Sequence, residues 1–243
     1  MNAASMPRGW KSERMSDFDD VRCLDVALAD KLQIYSSKMK GRVPDVADAY
    51  QRLVDRLRAA GAGSEALGIG DRFPAFALPD ASGRIRRLED FLVEGPLVAS
   101  FNRGHWCAFC RMELLELQGI HEEIRSYGAN LVSVQPETAQ FTHRLKSEFG
   151  IGFPVLTDLD NGFALRANLM IALGSAVQEA FRKRGTELAL FQGGNAAWFV
   201  PIPATYVIDT SGMIAAAHVD PDFRNRMAPA EILSALEAIK AKN

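Results

Sequence analysis

The chain has 243 residues, enough for one large domain or a domain with an appendage, and a globular composition of 48% hydrophobic and 24% charged residues. A formal net charge of −2 gives no reason to expect nucleic acid or an anionic membrane as a partner. No run of about 18 apolar residues predicts a membrane span, and the polar first 17 residues lack the apolar core of a signal peptide. We therefore expect a cytoplasmic protein with neither membrane nor nucleic acid as a partner.

The N-terminal quarter of the chain carries the spacing of two helices. The apolar stripe of the first comprises Phe18, Val21, Leu24, Leu28, Leu32 and Tyr35. Ser16 is its predicted N-cap and Gly41 its stop, while Pro44 opens the second helix. The GAGS stretch at 61–64 is typical of a linker. We predict an N-terminal helical extension over residues 1–64, which packs on the remainder or forms a homodimer, and a second domain over residues 65–243.

From residue 65 onward, strand and helix patterns alternate, which predicts an α/β layer fold. Two hairpins are expected, one around residues 80–83 and one around 210–212. A longer helical insertion is predicted over residues 160–195. The remaining predicted elements are a buried strand at 97–101, a helix at 107–127, a strand at 131–134, a helix at 137–149, a strand at 154–156 and a closing helix at 229–240.

Two of the three cysteines stand three residues apart where the predicted strand gives way to a helix. Unpaired N–H groups and the helix dipole favour a negative charge there, so a thiol loses its proton more readily and becomes a nucleophile. Cys110 continues the apolar face of the helix and is expected to be sheltered, whereas Cys107 is expected to be exposed. Cys23 is predicted to be a small apolar filler. Zinc needs four ligands, and only Cys23 and four scattered histidines could complete a set, so no metal is expected.

The sequence resembles the peroxiredoxin-like AhpC/TSA group of the thioredoxin-fold superfamily over residues 67–239. The resemblance rests on three motifs in the expected order: GDRFPAF at 70–76, WCAFCRMEL at 106–114 and PATYVID at 203–209. It implies a thioredoxin-like fold with a central mixed β-sheet flanked by helices. It also places Glu113 in the family's C-x-x-E-L pattern, where it would support the site.

The chain departs from the peroxiredoxin motif P-x-x-x-T-x-x-C in one direction. Arg103 stands at the proline position, Cys107 at the threonine position, and Pro203 replaces the arginine of the neighbouring R-x-T-F context, which keeps Thr205. A CxxC pair facing a cis-proline is the thioredoxin arrangement, so the resemblance implies a cis Ile202–Pro203 bond beside the dithiol. Arg103, four residues before Cys107, could supply the missing positive charge, and Trp106 is expected to cover the dithiol.

The resemblance implies a thiol-dependent oxidoreductase with antioxidant activity that reduces peroxides through a Cys107–Cys110 dithiol–disulfide cycle. Cys107 is the expected nucleophile and Cys110 the resolving thiol; the peroxiredoxin alignment favours the reverse. Sulfur carries the chemistry, so no cofactor is expected, and an external dithiol such as thioredoxin or glutaredoxin would regenerate the pair. Alternatives are a protein disulfide reductase and a redox-responsive interaction protein. Arg224 and Arg226 are predicted to be solvated loop charges.

Overall fold

The computed structural model describes residues 17–242. Its strands are β1 (Ala77–Pro79), β2 (Ile85–Arg87), β3 (Leu97–Phe101), β4 (Asn130–Gln135), β5 (Val155–Thr157), β6 (Met170–Ala172), β7 (Phe199–Pro201), β8 (Ala204–Ile208) and β9 (Ile214–Val219). Its helices are α1 (17–22), α2 (Leu28–Arg42), α3 (Pro44–Ala59), α4 (Leu88–Leu92), α5 (Ala108–Gly119), α6 (His121–Ser126), α7 (Ala139–Phe149), α8 (Gly162–Arg166), α9 (Ser175–Arg182) and α10 (Pro229–Lys240).

A five-stranded mixed sheet in the order β5-β4-β3-β8-β9 forms the centre of the fold. β3 pairs in parallel with β4 and antiparallel with β8, and all five of its residues are buried. A strand covered on both faces reads as a continuous apolar run, which is why the sequence predicts its bounds correctly. The predicted thioredoxin-like α/β fold is confirmed, as are both hairpins and the closing helix α10.

The first predicted helix is interrupted. Residues 23–27 form a turn between α1 and α2, which leaves Cys23 exposed and Leu24 39% exposed. The interpretation of Cys23 as an apolar filler is therefore wrong. The apolar spacing alone could not reveal the turn, because Phe18 before it and Tyr35 after it both pack inward, against Phe149 and Phe109 respectively. The proposed cap Ser16 lies outside the described residues.

Two further elements differ from their sequence-based prediction. The helix predicted over 107–127 divides at Ile120 into α5 and α6, and the helical insertion over 160–195 also contains a strand, β6. β6 pairs antiparallel with β7, with Met170 opposite Pro201. A three-residue apolar strand has no periodicity of its own, and its partner lies about thirty residues away in sequence, so local pattern could not identify it.

The N-terminal helices share a hydrophobic core with the dithiol segment. Buried residues of α2 and α3 form one cluster with Trp106, Cys107, Phe109 and Cys110. Lys31 on α2 forms an ion pair with Glu116 on α5 at 2.6 Å, which fixes the two helices together beside the cluster. The extension thus packs on the α/β unit, while the division at residue 64 and the homodimer stay predictions. None of the helices described over residues 17–242 is long and apolar enough to span a membrane.

We expect Leu53→Ala in α3 to lower the free energy of unfolding of the whole chain by about 2–5 kcal/mol, because Leu53 is buried in the shared cluster. Urea denaturation followed by circular dichroism measures the change. Arg52→Ala, at the exposed neighbouring position, is the control and should stay within about 0.5 kcal/mol. A separate early transition that leaves the α/β unit folded would contradict a shared core.

Candidate active site

The two thiols of the CxxC segment lie side by side at the start of α5, as the strand-to-helix junction predicts. Cys107 is the N-cap residue, and its Sγ accepts a hydrogen bond from the backbone N–H of Cys110 at 3.4 Å. The Cys110 thiol donates to the Cys107 sulfur, with 2.8 Å between the sulfur atoms. Both cysteines are free thiols, so the structure represents the reduced pair.

The expectation that Cys107 is exposed is wrong, because Cys107 is 2% and Cys110 0% exposed. Trp106, predicted to cover the dithiol, is itself buried and packs edge-on against Phe181 of α9. The N-terminal helices and the insertion complete the covering cluster. Sequence reasoning placed Cys107 on the outer side of its own helix, but these distant segments cover that side.

Arg103 lies directly against the dithiol and is fully buried. Its Nη2 donates to Cys107 Sγ at 3.1 Å, and its backbone N–H donates to Cys110 Sγ at 3.4 Å. Burial alone would lower the pKa of Arg103, but the charge of Cys107, together with smaller contributions from Tyr50, Cys110 and the hydrogen bond to Cys107, raises this pKa above its ordinary value. The guanidinium thus stays charged beside the sulfur.

Arg226 is a second buried guanidinium of the site, and the prediction that it is a solvated loop charge is wrong. Its side chain is 1% exposed, its Nη1 donates to Glu113 Oε2 at 2.5 Å and its Nη2 to Cys110 Sγ at 3.5 Å. Thr205 Oγ1 on β8 donates to the other oxygen of Glu113 at 3.1 Å. Phe223 is an aromatic residue among charged neighbours, which is the sequence feature that could have indicated an inward-facing loop. Phe223 is buried.

The other loop arginine, Arg224, is also held rather than free. It forms an ion pair with Asp222, with 2.6 Å between Arg224 Nε and Asp222 Oδ1, and its side chain is 21% exposed. Asp222 receives a further contact from Arg58 of α3 at 3.3 Å. These pairs fasten the loop that carries Arg226 to the N-terminal extension.

The surroundings separate the pKa values of the two thiols. Burial raises the pKa of Cys107, but the hydrogen bond from Cys110 and the charges of Arg103 and Arg226 together bring it well below its ordinary value. Burial raises the pKa of Cys110 well above its ordinary value, and so do the hydrogen bond to Cys107 and the charge of Cys107. When the pair loses one proton, the negative charge therefore lies on Cys107 and Cys110 stays a thiol.

Two buried carboxyl groups accompany the dithiol. Burial raises the pKa of Glu113 to about 7, since the cost of desolvation exceeds the attraction of Arg226. Burial likewise raises the pKa of Glu137, which follows β4, to about 8. Glu137 was not identified from the sequence. Gly104 makes room for it, because a Cβ on Gly104 would lie 2.5 Å from the Glu137 carboxyl group, and the φ of Gly104 is +123°.

The His105 side chain contacts Glu148, whereas a thiol-activating histidine would contact a cysteine sulfur. It is buried, its Nε2 lies 3.2 Å from Glu148 on α7, and its backbone N–H donates to Glu137. Burial, followed by the charge of Arg111, lowers the pKa of His105 to about 4. His105 is therefore neutral at physiological pH and supplies no positive charge to the sulfurs.

The expected cis-proline is absent, because the Ile202–Pro203 bond is trans. Pro203 is buried immediately before β8, whose first residue Ala204 pairs with Phe101 at the end of β3. The antiparallel pairing of β3 with β8 thus forms without a cis peptide bond before β8. Within residues 17–242, no three His, Cys, Asp or Glu side chains meet in an arrangement that could hold a metal ion.

A vicinal dithiol at a strand-to-helix junction of a thioredoxin-like sheet defines the class of thiol-dependent oxidoreductases. Residues 69–217 match the model of the AhpC/TSA family, which is more than half of the chain, and the chain belongs to this family.

Individual proteins are similar to part of this chain in sequence or in fold. The chain is 29% identical over 100 residues to the thiol-disulfide oxidoreductase ResA of Bacillus subtilis (strain 168). The aligned segment covers 41% of this chain and 55% of ResA, so the chain spans about half the length of that relative. The structure of peroxidoxin BcpB from Mycobacterium tuberculosis is similar, with a TM-score of 0.55 at 20% identity, covering 71% of this chain and 98% of that one. The structure of a peroxiredoxin 6 mutant of Arenicola marina gives a TM-score of 0.56 at 13% identity, and the match covers 72% of this chain and 74% of that one.

We expect iodoacetamide to modify Cys23 first in the reduced native protein, and Cys107 and Cys110 only after denaturation, because both sulfurs are buried. Mass spectrometry of peptides from timed reactions measures the order. Cys23→Ser is the control and should leave the native protein almost unlabelled. Rapid labelling of Cys107 in the native state would contradict the closed arrangement.

Proposed function

We propose that this protein is an antioxidant thiol peroxidase that reduces small peroxides through a Cys107–Cys110 disulfide. The observation that carries the proposal is the buried Cys107 sulfur, which has the Arg103 guanidinium at 3.1 Å and the Cys110 thiol at 2.8 Å. The thiolate is the nucleophilic form of cysteine, and the neighbouring thiol is placed to resolve its oxidised product.

Burial of the sulfurs favours a small substrate over a protein disulfide. The reduced pair is the state that meets the substrate, and a protein disulfide would have to bring its own sulfur into line with Cys107, which is 2% exposed under Trp106 and the N-terminal helices. A protein donor, by contrast, meets the oxidised pair. A peroxide needs only a narrow opening to bring one oxygen to the sulfur. The trans bond before Pro203 points the same way, since the cis-proline was the main feature favouring an extended protein substrate.

The reaction begins when the Cys107 thiolate attacks the terminal oxygen of a peroxide ROOH. An S–O bond forms, the O–O bond breaks, and the leaving alkoxide takes a proton to give ROH. Cys110 then loses its proton and attacks the sulfenic sulfur of Cys107; the S–S bond forms and hydroxide leaves as water. Two electrons have passed from the dithiol to the peroxide, and an external dithiol returns them by disulfide exchange.

The neighbouring side chains have distinct roles in this proposal. Arg103 stabilises the Cys107 thiolate and the developing charge on the leaving oxygen. Arg226 holds Cys110, while Glu113, one helical turn further along α5, accepts the proton that Cys110 releases. Thr205 fixes the Glu113 carboxylate, Trp106 excludes water, and Pro203 is a structural residue at the start of β8.

The proposal also includes the compartment in which the protein acts and the donor that regenerates its dithiol. A dithiol that must be regenerated after each turnover requires a reducing compartment, which supports the cytoplasm, and a donor such as thioredoxin or glutaredoxin. A homodimer is compatible with activity, since each chain contains both cysteines and both arginines of the site. No cofactor takes part, because sulfur itself carries the two electrons.

Replacement of either cysteine by serine should abolish catalytic turnover of hydrogen peroxide with dithiothreitol as donor, whereas Cys23→Ser should retain it. After one equivalent of peroxide, Cys110→Ser should hold a sulfenic acid on Cys107, because the resolving thiol is gone. Dimedone labelling and mass spectrometry detect it. A stable sulfenic acid on Cys110 in Cys107→Ser would instead assign the roles in reverse, and no peroxide consumption by wild type would refute the function.

Glu113→Gln should slow disulfide formation after sulfenic acid has formed by at least about tenfold, because glutamine cannot accept the Cys110 proton. In wild type this step should speed up as pH rises through about 7, where Glu113 loses its proton, and that limb should vanish in the variant. Stopped-flow tryptophan fluorescence in single turnover follows the step. Glu116→Gln, on the same helix and paired with Lys31, is the matched control and should keep the limb.

The second candidate is a thiol-disulfide reductase, which the similarity to ResA favours. Reduction of insulin disulfides with dithiothreitol as donor tests it. We expect a rate close to that of dithiothreitol alone, and strong catalysis would make this candidate the better one. Activity in neither assay would favour the third alternative, a redox-responsive interaction protein.

A further inference from the structure

Within residues 17–242, Cys107 is the only side chain that accepts a hydrogen bond from the Arg103 guanidinium. Its Nη2 contacts Cys107 Sγ, while its Nε and Nη1 are buried without a hydrogen-bond partner. In the described part of the chain, no carboxylate forms an ion pair with Arg103. Arg226 differs, because Glu113 remains beside it whatever the state of the sulfurs.

Three aromatic rings enclose the Arg103 guanidinium. Its Cζ lies 3.6 Å from the ring centre of Phe223, 5.2 Å from that of Trp106 and 5.5 Å from that of Tyr50. Ring faces attract a cation but carry no net charge, so they replace only part of what a counter-ion provides. Tyr50 on α3 and Phe223 both lie outside the family match at 69–217, so segments beyond that match complete the enclosure.

We propose that this enclosed Arg103 makes the Cys107–Cys110 disulfide a strong oxidant, by stabilising the reduced pair relative to the disulfide. At neutral pH, reduction of the disulfide takes up two electrons and one proton and yields the Cys107 thiolate and the Cys110 thiol. The disulfide is neutral, so in the oxidised state Arg103 is a buried cation without its counter-ion, an arrangement that is strongly unfavourable.

The proposal specifies the direction of electron transfer through the site and assigns the N-terminal extension a role in maintaining it. A disulfide whose reduced form is stabilised accepts electrons from an external dithiol readily and passes them to other protein disulfides poorly. Tyr50 keeps water from the guanidinium and thereby maintains the effect. This inference rests on the dithiol cycle of the proposed function, but not on peroxide being its substrate.

Equilibration of wild type with mixtures of reduced and oxidised glutathione, followed by acid quenching and alkylation in denaturant, gives the redox equilibrium constant. Arg103→Met retains an apolar chain within the rings and removes the charge. We expect the disulfide to become at least about tenfold more favourable relative to the dithiol, a shift of about 30 mV for each tenfold change. A change below threefold, or one in the opposite direction, overturns the proposal.

Arg111→Met is the matched control. Arg111 is also a buried guanidinium over aromatic rings, 4.2 Å from the ring centre of Phe18, and it makes no hydrogen bond to either sulfur. Its replacement should change the equilibrium constant by less than threefold even where it lowers stability. A shift as large as that of Arg103→Met would assign the effect to buried positive charge or packing in general and overturn the specific role of Arg103.

Wild type alone gives an independent test if Arg103→Met does not fold. Urea denaturation of the oxidised and the reduced protein should show a lower midpoint for the oxidised form, although disulfides ordinarily stabilise proteins. An equal or higher midpoint for the oxidised form overturns the proposal. Neither measurement involves peroxide, so the failure of this inference is distinguishable from the failure of the proposed peroxidase function.

Discussion

The contact between the Arg103 guanidinium and the Cys107 sulfur, 3.1 Å apart in a closed space, is the interaction on which the site depends. A charge in a water-free interior is stable only beside its opposite, so cation and thiolate each require the other. Together with the hydrogen bond from Cys110 and the charge of Arg226, this contact keeps the pKa of Cys107 well below its ordinary value, whereas burial raises that of Cys110.

Arg103 and Cys107 both lie in the segment that follows the end of β3. β3 ends at Phe101, the segment after it carries Arg103, and the chain then enters α5 with Cys107 as its N-cap. Gly104 lets the connection pass close to Glu137, where any side chain would collide with the carboxyl group. The sheet therefore fixes where both partners start, and the loop between them determines that they meet.

The enclosure comes from parts of the chain that are far apart in sequence. The N-terminal helices contribute Tyr50, the segment after β9 contributes Phe223 and Arg226, and the insertion contributes Phe181. The AhpC/TSA match at 69–217 includes the dithiol and Glu113 but neither the helices nor the last loop. The dithiol, Arg103 and Glu113 thus lie inside the family match, whereas Tyr50, Phe223 and Arg226 lie outside it.

The sequence by itself determined the α/β class of the fold, the strand 97–101, the closing helix and the placement of Cys107 and Cys110 at a helix start, because these depend on apolar periodicity and local spacing. It also pointed to Arg103, which precedes Cys107 by four residues, and to Glu113 through the C-x-x-E-L pattern. Only the tertiary structure decided that Cys107 is buried, that Arg226 lies against Cys110, that Glu137 shares the interior and that the bond before Pro203 is trans. Each of these depends on segments that meet only after folding, and the charge of a buried group is set by such neighbours rather than by the residues next to it in the chain.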